Sequence, residues 1–224
     1  TTVSPLDLQF DARGDLWVPD TDANRVLEYR PPFSNGMAAS LVLGQSSFTG
    51  ALSGLTATNL SHPLSVFPTA TMVWVADYNN NRVLGFPAPF QTGESATVVL
   101  GQPNFLTVSA TGSASLAGPD GVSLDAQGHV WVSAGGQARV VEFPLEPGTY
   151  AAPLTVLGQS TLTGTTSGIT ATNLTDPTGV LVGNDSAWVG DLGADRVLEF
   201  VPTTFTVQVQ ESGLPAGDTW SFAV

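Results

Sequence analysis

Apolar residues in this chain come in short bursts, each closed off by Gly, Pro, Asn or Asp. Residues 121–159 show the pattern: Gly121-Val-Ser-Leu-Asp125, Gly128-His-Val-Trp-Val132, Arg139-Val-Val-Glu-Phe143 and Leu154-Thr-Val-Leu-Gly-Gln159. β-Branched and aromatic residues dominate each burst and turn residues separate them, which predicts four short strands. No stretch sustains a 3.6-residue apolar period, so helix is expected to be nearly absent. The same unit recurs along the chain. Trp17, Trp74, Trp131 and Trp188 stand 57 residues apart; Arg25, Arg82, Arg139 and Arg196 keep that register, as do Gly44, Gly101 and Gly158.

Four strands repeated in this way predict an all-β fold, a β-propeller of four 57-residue blades whose small sheets bury their faces against their neighbours. The blades are expected at about 1–60, 61–117, 118–174 and 175–203, closing as a four-bladed ring or forming part of a larger or open one. The segments Pro119-Asp-Gly-Val-Ser-Leu-Asp-Ala-Gln-Gly-His-Val-Trp-Val132 and Trp74-Val-Ala-Asp-Tyr-Asn-Asn-Asn-Arg-Val-Leu84 resemble NHL repeats. The resemblance runs over roughly residues 3–200 and includes the Val-Leu-Gly-Gln segments ending at Gln45, Gln102 and Gln159. It implies a propeller, usually six-bladed in that family.

The fourth copy has no Val-Leu-Gly-Gln strand. Residues 204–224 are expected to add C-terminal strands, with Phe205-Thr-Val-Gln-Val-Gln210 as a substitute outer strand. The segment Glu211-Ser-Gly-Leu-Pro-Ala-Gly-Asp-Thr-Trp220 resembles the opening of a β-sandwich-like module common in large secreted surface proteins of archaea. With no signal-like segment at Thr1, a mature, trimmed or partial chain is expected.

Composition narrows the function. Net charge is −13 and the charged fraction 11%, with arginine as the sole basic side chain apart from two histidines. Nucleic acid is not an expected partner, since neutralising phosphates takes clustered cations. RNA binding, one use of the NHL family, would need a basic face that these arginines do not supply. The absence of cysteine removes disulfides, thiolate metal sites and thiol catalysis. No apolar run is long enough for a transmembrane helix. Related propellers, the amidating lyases and lactonases, use histidines and a central Ca²⁺ or Zn²⁺. Here His62 and His129 fall at different places in the repeat, so no metal site and no cofactor is expected.

Several residues remain as candidates. Asp20 with Arg25, Asp77 with Arg82, and Asp191 with Arg196 flank one turn of the repeat, while Arg139 has Ala134 at the aspartate position. A feature repeated in every blade is read as structural, and the tryptophans Trp17, Trp74, Trp131 and Trp188 as core between blades. Asp7 and Asp120 are the axial candidates if the protein is an enzyme; Asp11 and Asp125 occupy equivalent turns. No Gly-x-Ser-x-Gly elbow is present. Asn59, Asn173 and Asn184 head Asn-x-Ser/Thr triplets, the first two at equivalent places in Ser/Thr-rich connections, which points to a surface glycoprotein.

The function expected from these features is an extracellular or cell-surface structural or adhesive protein without catalytic residues. It would associate with itself or other surface proteins, building filaments or layers through open strand edges. The alternatives are a secreted hydrolase or lyase with a site on the propeller axis, and a carbohydrate- or peptide-binding propeller. Tolerance of acid is also expected, because so few charges are available to form native ion pairs.

Overall fold

The computed structural model describes residues 4–109, 111–144, 151–183 and 186–201. They form four antiparallel meanders. Sheet I holds β1 (Gln9–Phe10), β2 (Leu16–Asp20), β3 (Arg25–Tyr29) and β4 (Leu41–Leu43); sheet II holds β5 (Pro63–Pro68), β6 (Met72–Asp77), β7 (Arg82–Pro87) and β8 (Val98–Leu100). Sheet III holds β9 (Pro119–Leu124), β10 (Val130–Ala134), β11 (Arg139–Phe143) and β12 (Thr155–Leu157). Sheet IV holds β13 (Pro177–Gly183), β14 (Ser186–Asp191) and β15 (Arg196–Phe200). The expected substitute strand at 205–210, the module opening at Glu211, and Asn184 lie outside the described residues.

The turn between the second and third strand of every sheet is a single 3₁₀ turn closed by a left-handed residue: Asn24, Asn81, Ala138 and Asp195, with φ of 50–54°. Asn and Asp tolerate that region, whereas Ala138 sits in it at a cost of roughly 1–2 kcal/mol. The Val-Leu-Gly-Gln strand then locks onto this turn. Gln45, Gln102 and Gln159 donate Nε2 to the carbonyls of Asn24, Asn81 and Ala138 at 2.8–2.9 Å. Gly44 precedes its glutamine with φ +82°, and a Cβ there would stand 2.5 Å from Leu60 Cδ1. Both constraints demand glycine.

The repeated arginines, at the start of each third strand, reach back to the preceding turn and out to carbonyls of the long connections. Arg82 is fully buried; its Nε donates to Asp77 Oδ2 at 2.7 Å, and its Nη2 donates to the carbonyls of Thr56 and Asn59 at 3.0 Å. Nη1 reaches the Phe105 carbonyl. One guanidinium thereby fastens the connection entering sheet II and the connection leaving it. Arg25 pairs with Asp20, and Arg196 with Asp191. In sheet III, where Ala134 replaces the aspartate, Arg139 donates Nε and Nη2 to Gln137 Oε1 at 3.2 and 3.0 Å.

The inner strands lie side by side in the order β1, β5, β9, β13, and apolar cores form between consecutive sheets. Trp17, Val26, Leu41 and Leu43 of sheet I pack on Val66, Val73, Val75, Leu84 and Phe86 of sheet II. Trp17 also meets Phe90 edge-on at 5.4 Å. Trp74, Val83, Val98 and Leu100 of sheet II repeat this against sheet III. Trp131 and Val140 of sheet III pack against Val189, Leu198 and Phe200 of sheet IV. At the end of the series the pattern stops. Trp188 and Val197, at the repeat positions of Trp17 and Val26, are 45% and 66% exposed, and Leu181, paired with Trp188 across the sheet, is 64% exposed. Among the described residues, sheet I does not cover this face.

A test of the arginine staple follows from its burial. Arg82→Met leaves the Asp77 carboxylate buried without its cation, a change that costs about 3–5 kcal/mol. Urea unfolding should show it, and a loss below about 1 kcal/mol would contradict the staple.

Candidate functional site

Two cavities collect the candidate residues. The first, about 530 Å³, lies among the inner strands and is lined by Leu6, Asp7, Ser65, Asp120, Thr178 and Leu192, among others. The fold thus brings the two axial candidates, Asp7 and Asp120, to one cavity. Their surroundings differ. Asp7 Oδ2 accepts from Ser65 Oγ at 2.8 Å and from the Val66 amide at 3.1 Å. Asp120 Oδ2 accepts from the Gly135 amide alone at 3.3 Å. Burial pushes the Asp120 carboxyl up to about 7 and nearby Asp176 adds to the rise, with the Gly135 amide as the opposing contribution. A carboxyl poised there can hold or release a proton near neutral pH.

The second cavity, about 550 Å³, opens between sheets III and IV at the other end of β9, against Asp125, Trp131, Leu157, Val182, Ala187 and Phe200. Beside it stands a cluster. His129 Nδ1 lies 3.0 Å from Asp125 Oδ2 and 2.9 Å from Glu142 Oε1. Asp125 also accepts from Trp131 Nε1 at 3.1 Å and from the amides of Gln127 and His129 at 2.9 Å. Burial raises the Asp125 carboxyl, but these donors outweigh it and hold the group below its ordinary value.

The fold assembles a histidine–carboxylate group that the different repeat positions of His62 and His129 do not make readable in the sequence. The sequence hides it because Glu142 comes from β11, whose register sets it opposite Trp131 of β10. The pairing register was the missing signal. Asp11, the counterpart of Asp125, likewise sits at the β1–β2 turn, bonded to the amides of Arg13 and Asp15, and takes no part in the axial cavity.

Of the triplet asparagines within the described residues, Asn59 Oδ1 accepts from Thr56 Oγ1 at 2.6 Å and Asn173 Oδ1 from Thr170 Oγ1 at 2.8 Å. Both are half-buried, and their carbonyls receive Arg82 and Arg196. Two carboxylates that face arginines, Asp191 and Asp11, also qualify the expected acid tolerance. Burial raises the Asp191 carboxyl, but Thr175, the Asp176 amide and Arg196 hold it below its ordinary value, and donors around Asp11 have the same net effect. Stability from such groups is present above the unfolded carboxylate pKa and is lost as pH falls through the lower, folded one.

No family profile matches the chain, and no curated protein matches it. Solved structures do. A streptogramin B lyase structure is 13% identical with a TM-score of 0.51, covering 88% of this chain and 54% of its own. A protein of unknown function from Bacteroides thetaiotaomicron VPI-5482 is 15% identical with a TM-score of 0.54, covering 87% of this chain and 46% of its own. An auxiliary nutrient binding protein from the same organism is 12% identical with a TM-score of 0.52, over 84% and 45%. These likenesses are of fold: the chain is an all-β, propeller-like protein. It spans about half the length of the structures it matches. No helix among the described residues is long and apolar enough to cross a membrane.

The two kinds of carboxyl act oppositely on stability. Asp120, raised in the folded state, makes the fold more stable as pH falls from about 7 towards 4; Asp11 and Asp191, lowered, make it less stable below about 4. The thermal midpoint should therefore pass through a maximum between these limits. Asp120→Asn should flatten the neutral-side slope while leaving the acid-side fall in place. An unchanged slope in that variant would contradict the assignment.

Proposed function

We propose that this chain is a non-catalytic structural or adhesive module of an extracellular surface, working by association through the outward face of sheet IV. The observation that carries the reading is Trp188. Its counterparts Trp17 and Trp74 are 0% and 1% exposed because a following sheet covers them, whereas Trp188 stands open beside Leu181 and Val197. A contiguous apolar face of this kind marks an interaction surface. It already has the shape that sheets I to III use to receive another sheet.

The occupant is a second copy of this chain, face IV on face IV about a twofold axis. A head-to-tail contact is disfavoured, since Val18, Leu27 and Val42, on the side of sheet I that would receive it, are buried already. Isologous pairing makes dimers. The filaments or layers expected from the sequence then draw on the free edge of β15, which has no outer partner among the described residues. The acidic, lysine-free composition and the triplets at Asn59, Asn173 and Asn184 support an extracellular setting with glycans.

A second reading, a secreted hydrolase or lyase, is favoured by one observation: the Asp120 carboxyl held near 7 in the axial cavity.

Sedimentation across a concentration series separates the two. Association predicts species heavier than 23.1 kDa that revert to monomer in the Leu181→Ser and Trp188→Ser double variant, with its thermal midpoint at dilution little changed. A monomer at every concentration contradicts association and returns attention to the axial cavity.

A further inference from the structure

We infer that Asp125, His129 and Glu142 form a binding site for a first-row divalent transition-metal cation, with Zn²⁺ as its representative, at the rim of the cavity between sheets III and IV. The inference is independent of the association reading. The three ligand atoms, one imidazole nitrogen and two carboxylate oxygens, lie within 4.8 Å of one another. The two N···O separations, 2.9 and 3.0 Å, are short enough for the three atoms to share one cation at about 2.1 Å after the edges open by a few tenths of an ångström towards tetrahedral spacing. A mixed nitrogen and oxygen set suits zinc and its neighbours better than Mg²⁺ or Ca²⁺, which prefer oxygen alone.

The repeat supplies an independent observation, because sheet I builds the same corner and shows what it requires. There the equivalent residues are Asp11, Asp15 and Glu28, and two arginines supply the positive charge. Arg13 reaches Asp11 at 3.2 Å and Asp15 at 3.3 Å, and Arg30 reaches Glu28 at 3.0 Å. In sheet III both arginine positions are lost, to Gln127 and Pro144, while Asp125 and Glu142 remain. His129 alone stands between them. Without a metal ion, one imidazole proton is shared between Glu142 and Asp125, the latter also held by the Trp131 indole and two amides. A divalent cation displaces that proton to solvent and supplies two charges in its place.

The surroundings suit a metal site. The Trp131 indole and two backbone amides fix the orientation of Asp125, as supporting hydrogen bonds do around metal ligands. Asp125 and Trp131 also line the cavity, so an ion has a route in and coordination positions open to water or to an anionic group of a ligand.

The test is calorimetric titration of the whole chain with ZnCl₂, with MgCl₂ as a control, alongside thermal unfolding. One equivalent of Zn²⁺ should bind and raise the thermal midpoint, and Mg²⁺ should not. His129→Gln and Glu142→Gln should each weaken binding on the order of tenfold or more. Gln127→Arg, which restores the arginine of sheet I on an exposed turn, should weaken it as well. Asp120→Asn, in the axial cavity, should leave it unchanged. No saturable Zn²⁺ binding overturns the inference; so does binding that persists at full strength in His129→Gln and Glu142→Gln.

Discussion

Sheets I, II and III are each organised around one buried guanidinium, and sheet IV around its partly exposed counterpart, Arg196. An arginine at the head of the third strand cannot shed its charge, so it must find acceptors for its donors inside the protein. Arg82 and Arg139 find them in the aspartate or glutamine of their own turn and in carbonyls of the connections before and after the sheet, while Arg25 reaches the connection after its sheet and Arg196 the one before. Long Ser/Thr-rich connections have few apolar side chains with which to anchor themselves. The arginine anchors them, and in doing so fixes where the next sheet begins. Burying a charge is tolerable only with this full set of partners, so the aspartate, the left-handed turn residue and the loop carbonyls form a single unit.

Once the connections are fixed, packing between sheets is a simple repetition. Each sheet offers Trp and Val on one face and receives Val, Leu and Phe on the other, so every interface resembles the last. A series built this way must have ends, and the ends differ from each other. Sheet I has buried residues on its outer side, whereas sheet IV presents Trp188 uncovered. That asymmetry gives the association proposal its direction. It also explains why the axial cavity and the cavity between sheets III and IV coexist: repetition sets the frame, and single substitutions within it, such as His129 in place of Asp15, create local chemistry.

Much of this was legible in the sequence. The 57-residue register of Trp and Arg announces a repeated β unit, and the turn residues mark its strands. What could not be read depends on strand pairing and on distance across the fold. Gln137 replaces the missing aspartate beside Arg139, but it stands at a different offset in the repeat. His129 and Glu142 are thirteen residues apart and meet only because β10 and β11 pair in one particular register. Asp7 and Asp120 were legible as inner-strand residues, yet their different environments were not, because one backbone amide against two donors separates them. Exposure at Trp188 was equally hidden, since an identical motif is core in one blade and surface in another.

The central claim is that Trp188 is an open counterpart of buried Trp17 and Trp74 until a second copy covers it. Hydroxyl-radical footprinting with residue-level mass spectrometry, across a dilution series, measures this directly. The account predicts a strongly reactive Trp188 in dilute protein that becomes protected as concentration rises, with Trp17 and Trp74 protected throughout. A Trp188 as unreactive as Trp17 at every dilution would show that the face is covered within the single chain, and would contradict the account.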